Sequence, residues 1–195
     1  MRWVILLIFV YLFLVIELGV SVALNQPGQY NYMPGLLLIL AVYVGLFAPT
    51  MMTLWTWLAL GILHDLAHPV KMVDATMDAT IIGPAALAYL AGGFLMLQLR
   101  RVVYRGSPLS IAIFSFIAGI VVHLLIVLLH GLRGLSFLFL PGEHIEGWSW
   151  SAELVERFLS MVVTFFVALP VGWFLIRAGT GIFGSDAPKN GMVRR

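Results

Sequence analysis

The string His64-Asp65-Leu66-Ala67-His68 is the part of the sequence whose residue types and spacing come closest to chemistry. Two histidines at i and i+4 fall on one face of a helix and could share a zinc ion, as in H-E-x-x-H sites, where the intervening glutamate is the general base. Here the shorter Asp65 stands in the glutamate's place, Pro69 follows at once, and no second motif supplies a third ligand. His123, His130, Asp74 and Asp78 are the side chains left to recruit. The expectation is of no metal, no cofactor and no catalytic residue, with His64 and His68 closing a helix. A metallohydrolase built on this pair is the third alternative, and it predicts stoichiometric zinc. The sequence contains no cysteine, which excludes disulfides, thiolate zinc sites and cysteine nucleophiles. It also lacks a nucleophile elbow or phosphate-binding loop in a strand–turn–helix setting.

The remaining candidates are ionisable groups in apolar surroundings. Asp65 is either an interior acid with a function or the acid that ends an apolar run, and Gly61, one turn before it, leaves room for a neighbouring helix. Glu17 is expected to snorkel outward or to pair with a partner chain. His123 sits deeper, on a face of small residues, and reads as a hydrogen-bonded interior group. Arg100-Arg101, with Arg105, reads as a topology anchor, the alternative being a site for anionic lipid or a cytoplasmic partner.

Hydrophobic residues make up 62% of the 195 and charged residues 10%, with a mean hydropathy of +1.03. Soluble domains run near roughly 45–50% apolar and about 25% charged, so no polar shell is available here and the apolar surface must face lipid. The formal charge of +2 is scattered at helix ends, without the basic stripe that nucleic acid requires. Six apolar runs follow, at residues 3–24, 34–47, 50–66, 81–99, 109–129 and 154–176. The first is long enough to read as a crossing rather than a cleaved signal. The second and third are short and meet at a sharp turn, Ala48-Pro49-Thr50, so one of them could be re-entrant.

The expected fold is an all-α integral membrane bundle of six transmembrane helices over residues 1–178, with a disordered basic cytoplasmic tail at 179–195. Arg2, Arg100, Arg101, Arg105, Arg177, Lys189, Arg194 and Arg195 fall on one side of a six-span arrangement, which places both termini in the cytoplasm. The segment from Arg133 to Ser151, with Trp148 and Trp150, is expected on the outer surface. Small residues mark interior seams: Ser160, Thr164, Ala168 and Gly172 on the sixth run, Ala112, Ser115 and Gly119 on the fifth, and Ala85, Ala88 and Gly92 on the fourth. The first run is bulky on every face, suited to lipid or to another protein's helix. No internal repeat appears.

The stretches Pro34–Leu38, Gly61–Leu66 and Gly83–Gly93, followed by Arg100-Arg101, resemble in order the rod-shape protein family MreD. Its members have a Pro-led second span, a G-x-x-x-D ending the third, a Gly-led fourth and a basic cytoplasmic end; Gly61, Asp65, Gly83, Arg100 and Arg101 are the family-like positions. The turn at Ala48–Met52 lacks the basic residues usual in that family. The resemblance implies a non-enzymatic inner-membrane scaffold of the cell-elongation machinery. Its implied partners are an MreC-like single-span protein, a RodA-type glycosyltransferase, a class B penicillin-binding transpeptidase, the MreB filament and membrane lipids, with no nucleic acid. It also implies a fold similar to the substrate-binding S components of energy-coupling-factor transporters. That kinship supplies the alternative function, a vitamin- or metal-transporter subunit, although the first run lacks the A-x-x-x-A patch such subunits present to their motor.

Overall fold

The computed structural model describes residues 3–24, 33–68, 82–101, 107–133 and 149–183. These form six α-helices and no strand: α1 Trp3–Leu24, α2 Leu36–Phe47, α3 Thr50–Ala67, α4 Pro84–Leu99, α5 Pro108–Arg133 and α6 Trp150–Phe183. The expected runs and the helices agree closely. α6 continues through Phe183, beyond the boundary expected at residue 178. The remainder of the tail, the segment after His68 with Asp74 and Asp78, and most of the segment before Trp150 lie outside the described residues.

The helices alternate in direction. Residues late in α1 and α3 meet the starts of α2 and α4, while Ile111, early in α5, meets Gly172, late in α6. The bundle thus has an upper end, where α1, α3 and α5 finish, and a lower end, where α2, α4 and α6 finish. The segments Pro108–Leu132 and Trp150–Ala178 are long and apolar enough to cross a membrane, by length and composition.

α2 is the centre. Leu36 to Leu46 are all buried, and α1, α3, α4, α5 and α6 each pack against this helix. A helix apolar on every face belongs inside a bundle, and this one has no charged residue at all. Its 12 residues span about 18 Å, and backbone groups at both its ends find partners on other helices, Glu17 and Thr164 at its start and Arg100 at its finish.

α1 is not apolar surface all round. Leu6, Phe13 and Glu17 turn into the core, while Val4, Leu7, Ile8, Tyr11, Leu12 and Val15 are exposed. The three expected seams are interior: Ser160, Thr164, Ala168 and Gly172, Ala112, Ser115 and Gly119, and Ala85, Ala88 and Gly92 are all buried. On α4, Gly92 and Gly93 leave the space taken by the ring of fully buried Trp57; a Cβ on Gly92 would sit 2.7 Å from that ring.

Candidate functional site

Asp65 lies in the last turn of α3 and is only 6% exposed. Its carboxylate accepts three backbone N–H groups at the start of α4: Gly83 at 2.8 Å, Ala85 at 3.0 Å and Ala86 at 3.1 Å. The first turn of a helix leaves its leading N–H groups without intrahelical carbonyls. Pro84, at the first helical position, has no N–H to satisfy, and the Leu87 N–H already donates to the Gly83 carbonyl. One side chain from another helix therefore completes the cap, and its negative charge lies at the positive end of the α4 dipole.

Two glycines make this approach possible. Gly83 has φ +139, a backbone conformation that strains any residue with a Cβ. A Cβ on Gly61 would lie 2.7 Å from both the Ala85 carbonyl oxygen and the Ala86 Cα, so only glycine lets α3 come close enough for Asp65 to reach.

Glu17 performs the same task for α2. It is buried and accepts the Leu37 N–H at 2.9 Å, while Leu36 donates to the Pro34 carbonyl. The Gly35 N–H donates to Thr164 Oγ1 at 2.9 Å, and that hydroxyl donates to the Ser160 carbonyl at 2.7 Å. In each case the acid reaches an amide 20 residues further along the chain. Taking 17 from 65 and 37 from 85 leaves 48 each time, so one acid-to-amide bond recurs in the same register in α1–α2 and α3–α4, while Gly83 donates to Asp65 and its counterpart Gly35 to Thr164. Glu17 neither snorkels nor points to a partner; its carboxylate is turned inward.

At the lower end Arg100 folds back over the turn between α2 and α3. Its guanidinium donates to the Ala48 carbonyl and to Thr50 Oγ1, both at 3.0 Å. α4 thereby supplies a positive charge to a turn that has none of its own. Arg101 is exposed.

The described histidines, His64, His68, His123 and His130, lie in the upper half of the bundle. His64 and His68 stack with ring centroids 4.3 Å apart, and His64 also meets Tyr89 at 5.7 Å. His68 Nδ1 is 3.0 Å from the His64 carbonyl oxygen. The rings lie face to face, His68 Nδ1 is engaged with a backbone carbonyl, and Asp65 is occupied by three amides. Among the described residues no three His, Asp or Glu side chains are grouped to hold a metal ion. His123, within electrostatic reach of His64 and His68, accepts a hydrogen bond at Nδ1 from Arg157 Nη1 at 3.1 Å. Arg157 is held in turn by Glu153, through Nε at 2.8 Å and Nη2 at 2.6 Å.

No family model, curated protein or solved structure matches the chain. What the geometry offers is a bundle whose candidate residues hold helices to one another. Gly61, Asp65 and Gly83 form one joint, Glu17 and Thr164 a second, Arg100 a third, and His123 with Arg157 a fourth. Sequence reasoning did not single out Thr164 or Arg157 for these roles. Thr164 stood in the small-residue seam, and Arg157 follows Glu153 by four residues, a spacing that marks an ion pair on a helix.

Proposed function

We propose that the chain is a six-span scaffold of the bacterial inner membrane, MreD-like, without a reaction of its own, and that it helps position cell-wall synthesis by docking partner helices. The observation that carries this reading is the use of its buried ionisable groups. The buried acids Glu17 and Asp65 are spent on backbone amides and half-buried Arg100 on a helix turn, so these three are engaged in holding helices together. Such joints give a rigid platform at little cost in exposed polarity, while the faces left outside are apolar, as on α1.

A membrane setting for the bundle is supported by its aromatic residues. Trp150 and Trp173 are both about half exposed on α6, and the helix between them is about 34 Å long at 1.5 Å per residue. That suits one tryptophan at each headgroup level of a hydrocarbon core about 30 Å thick. Arg177 lies over the Trp173 ring, 4.1 Å from its centroid, and Arg100 and Arg101 share the lower end with it. By the retention of basic residues inside, the lower end faces the cytoplasm.

Copurification of the tagged protein from native membranes, followed by mass spectrometry, tests the reading. Recovery of an MreC-like single-span protein with wall-synthesis enzymes is the expected result, and recovery of an ATPase pair overturns it. The transporter-subunit alternative is favoured by one observation, a cleft of about 200 Å³ between α5 and α6. ATP-dependent uptake with a copurified motor would establish that alternative.

A further inference from the structure

We propose that the chain forms a twofold dimer in the membrane, with α1 of each copy lying in the groove between α1 and α3 of the other. The five helices around α2 stand in the order α1, α6, α5, α4, α3, each packed on the next. The ring stops there, because α1 and α3 do not pack on one another along their length. Six helices of equal width fit around a seventh, so five leave one place open, and it lies between α1 and α3. α2 is buried throughout, which makes that place a groove rather than a slot.

Both walls of the groove are apolar. On α1, Leu6, Phe13 and Glu17 face inward, and Phe9 lies to one side of that line, where its ring meets Phe174 of α6. The opposite side, toward the groove, carries Val4, Leu7, Tyr11, Leu14 and Leu18, alternately three and four residues apart. Val4, Leu7 and Tyr11 are 69%, 63% and 71% exposed. On α3, Gly61 and Asp65 face α4, and Met52, Ala59 and Leu63 lie on the side turned away from it.

The charge pattern and the register of α1 fit a second copy. In one membrane two copies share an orientation, so their α1 helices meet in parallel. A repeat of three and four then keeps one seam against the other along its length, with leucines at alternate positions, as in two-stranded parallel coils. A twofold contact sets each side chain near its own counterpart, so a charge on the seam would repel itself. α1 carries a single charge, Glu17, and that is turned inward to the Leu37 amide. The Tyr11 hydroxyl both donates and accepts, so two copies of it suit each other. The exposed face of α1 is also wider than one neighbouring helix needs. Ile8 and Val15 extend it beyond Tyr11, and in the dimer this outer part meets α3 of the second copy while Leu7 and Leu14 meet α1. The dimer does not depend on the scaffold role.

Irradiation of native membranes holding the full chain with p-benzoylphenylalanine in place of Tyr11 tests the occupant. The expected product has twice the 21.6 kDa of the chain and yields peptides of this chain alone. An adduct to a different protein means that a partner's helix fills the groove, and an adduct to lipid without one to protein means that lipid does; either overturns the proposal. Because the chain has no cysteine, Leu7→Cys and Leu14→Cys can be compared with Ile113→Cys, exposed on α5 across the ring from the groove. Mild oxidation in native membranes should link each α1 variant to its copy at least about tenfold faster than the α5 variant, since a disulfide needs Cα atoms within about 7 Å. Equal rates at the three positions also overturn it.

Discussion

Glu17 and Asp65 play one part in two successive helix pairs: each is buried in the later half of a helix and each accepts an amide 20 residues later, at the start of the next. Buried carboxylates in an apolar bundle are costly unless fully hydrogen-bonded, and helix starts are costly unless their N–H groups find acceptors. Pairing the two problems resolves both. It also fixes which helix sits beside which, because the acceptor and the donors come from different helices.

Asp65→Ala leaves the Gly83, Ala85 and Ala86 N–H groups without their acceptor in an apolar interior. The expected loss is roughly 3 kcal/mol or more, at about 1 kcal/mol or more per stranded donor. Asp65→Asn keeps one acceptor oxygen and should lose roughly half as much. Unfolding titrations in mixed micelles measure both, and an Ala variant as stable as wild type would remove the cap from the account.

Glu17 makes a sharper comparison. Its Oε2 accepts the Leu37 N–H, a bond that a glutamine carbonyl can also accept, so Glu17→Gln should stay within about 1 kcal/mol of wild type while Glu17→Ala loses about 1–3 kcal/mol. The same titrations decide it. If the Gln variant falls as far as the Ala variant, the negative charge matters and the hydrogen bond alone does not explain Glu17.

The helices and their seams were legible in the sequence because apolar length and small-residue spacing are local signals. The role of Gly61 in letting a helix approach was legible for the same reason: it precedes Asp65 by one turn. What Asp65 and Glu17 accept from was not legible, since the donors are backbone amides, which every residue carries and no side-chain pattern marks. The repeat of the device was hidden likewise, because α1–α2 and α3–α4 share a hydrogen-bond register rather than residues. Arg100 read as an anchor; that its guanidinium returns to Ala48 and Thr50 depends on the parallel course of α2 and α4, a fact of tertiary structure.

Gly61→Ala should cost about 1–3 kcal/mol, because its Cβ meets Ala85 and Ala86 backbone atoms that cannot rotate away. The cost should be coupled to Asp65. Once Asp65→Asn has loosened the α3–α4 contact, the extra methyl is accommodated more cheaply, giving a double-mutant coupling of about 0.5 kcal/mol or more. Strict additivity would show that close approach and capping are separate matters.

Arg100 and Arg101 are neighbours with opposite assignments. Arg100 donates to the Ala48 carbonyl at the end of α2, where a cation is also favoured by the negative end of the helix dipole, so Arg100→Ala should destabilise the bundle by about 1 kcal/mol. Arg101 is exposed, and Arg101→Ala should leave unfolding unchanged to within about 0.5 kcal/mol. Arg100→Lys is expected to recover only part of the loss, since an ammonium cannot span Ala48 and Thr50 as the two guanidinium nitrogens do. Equal stability of the Arg100 and Arg101 variants would return Arg100 to a membrane anchor, its charge serving orientation alone.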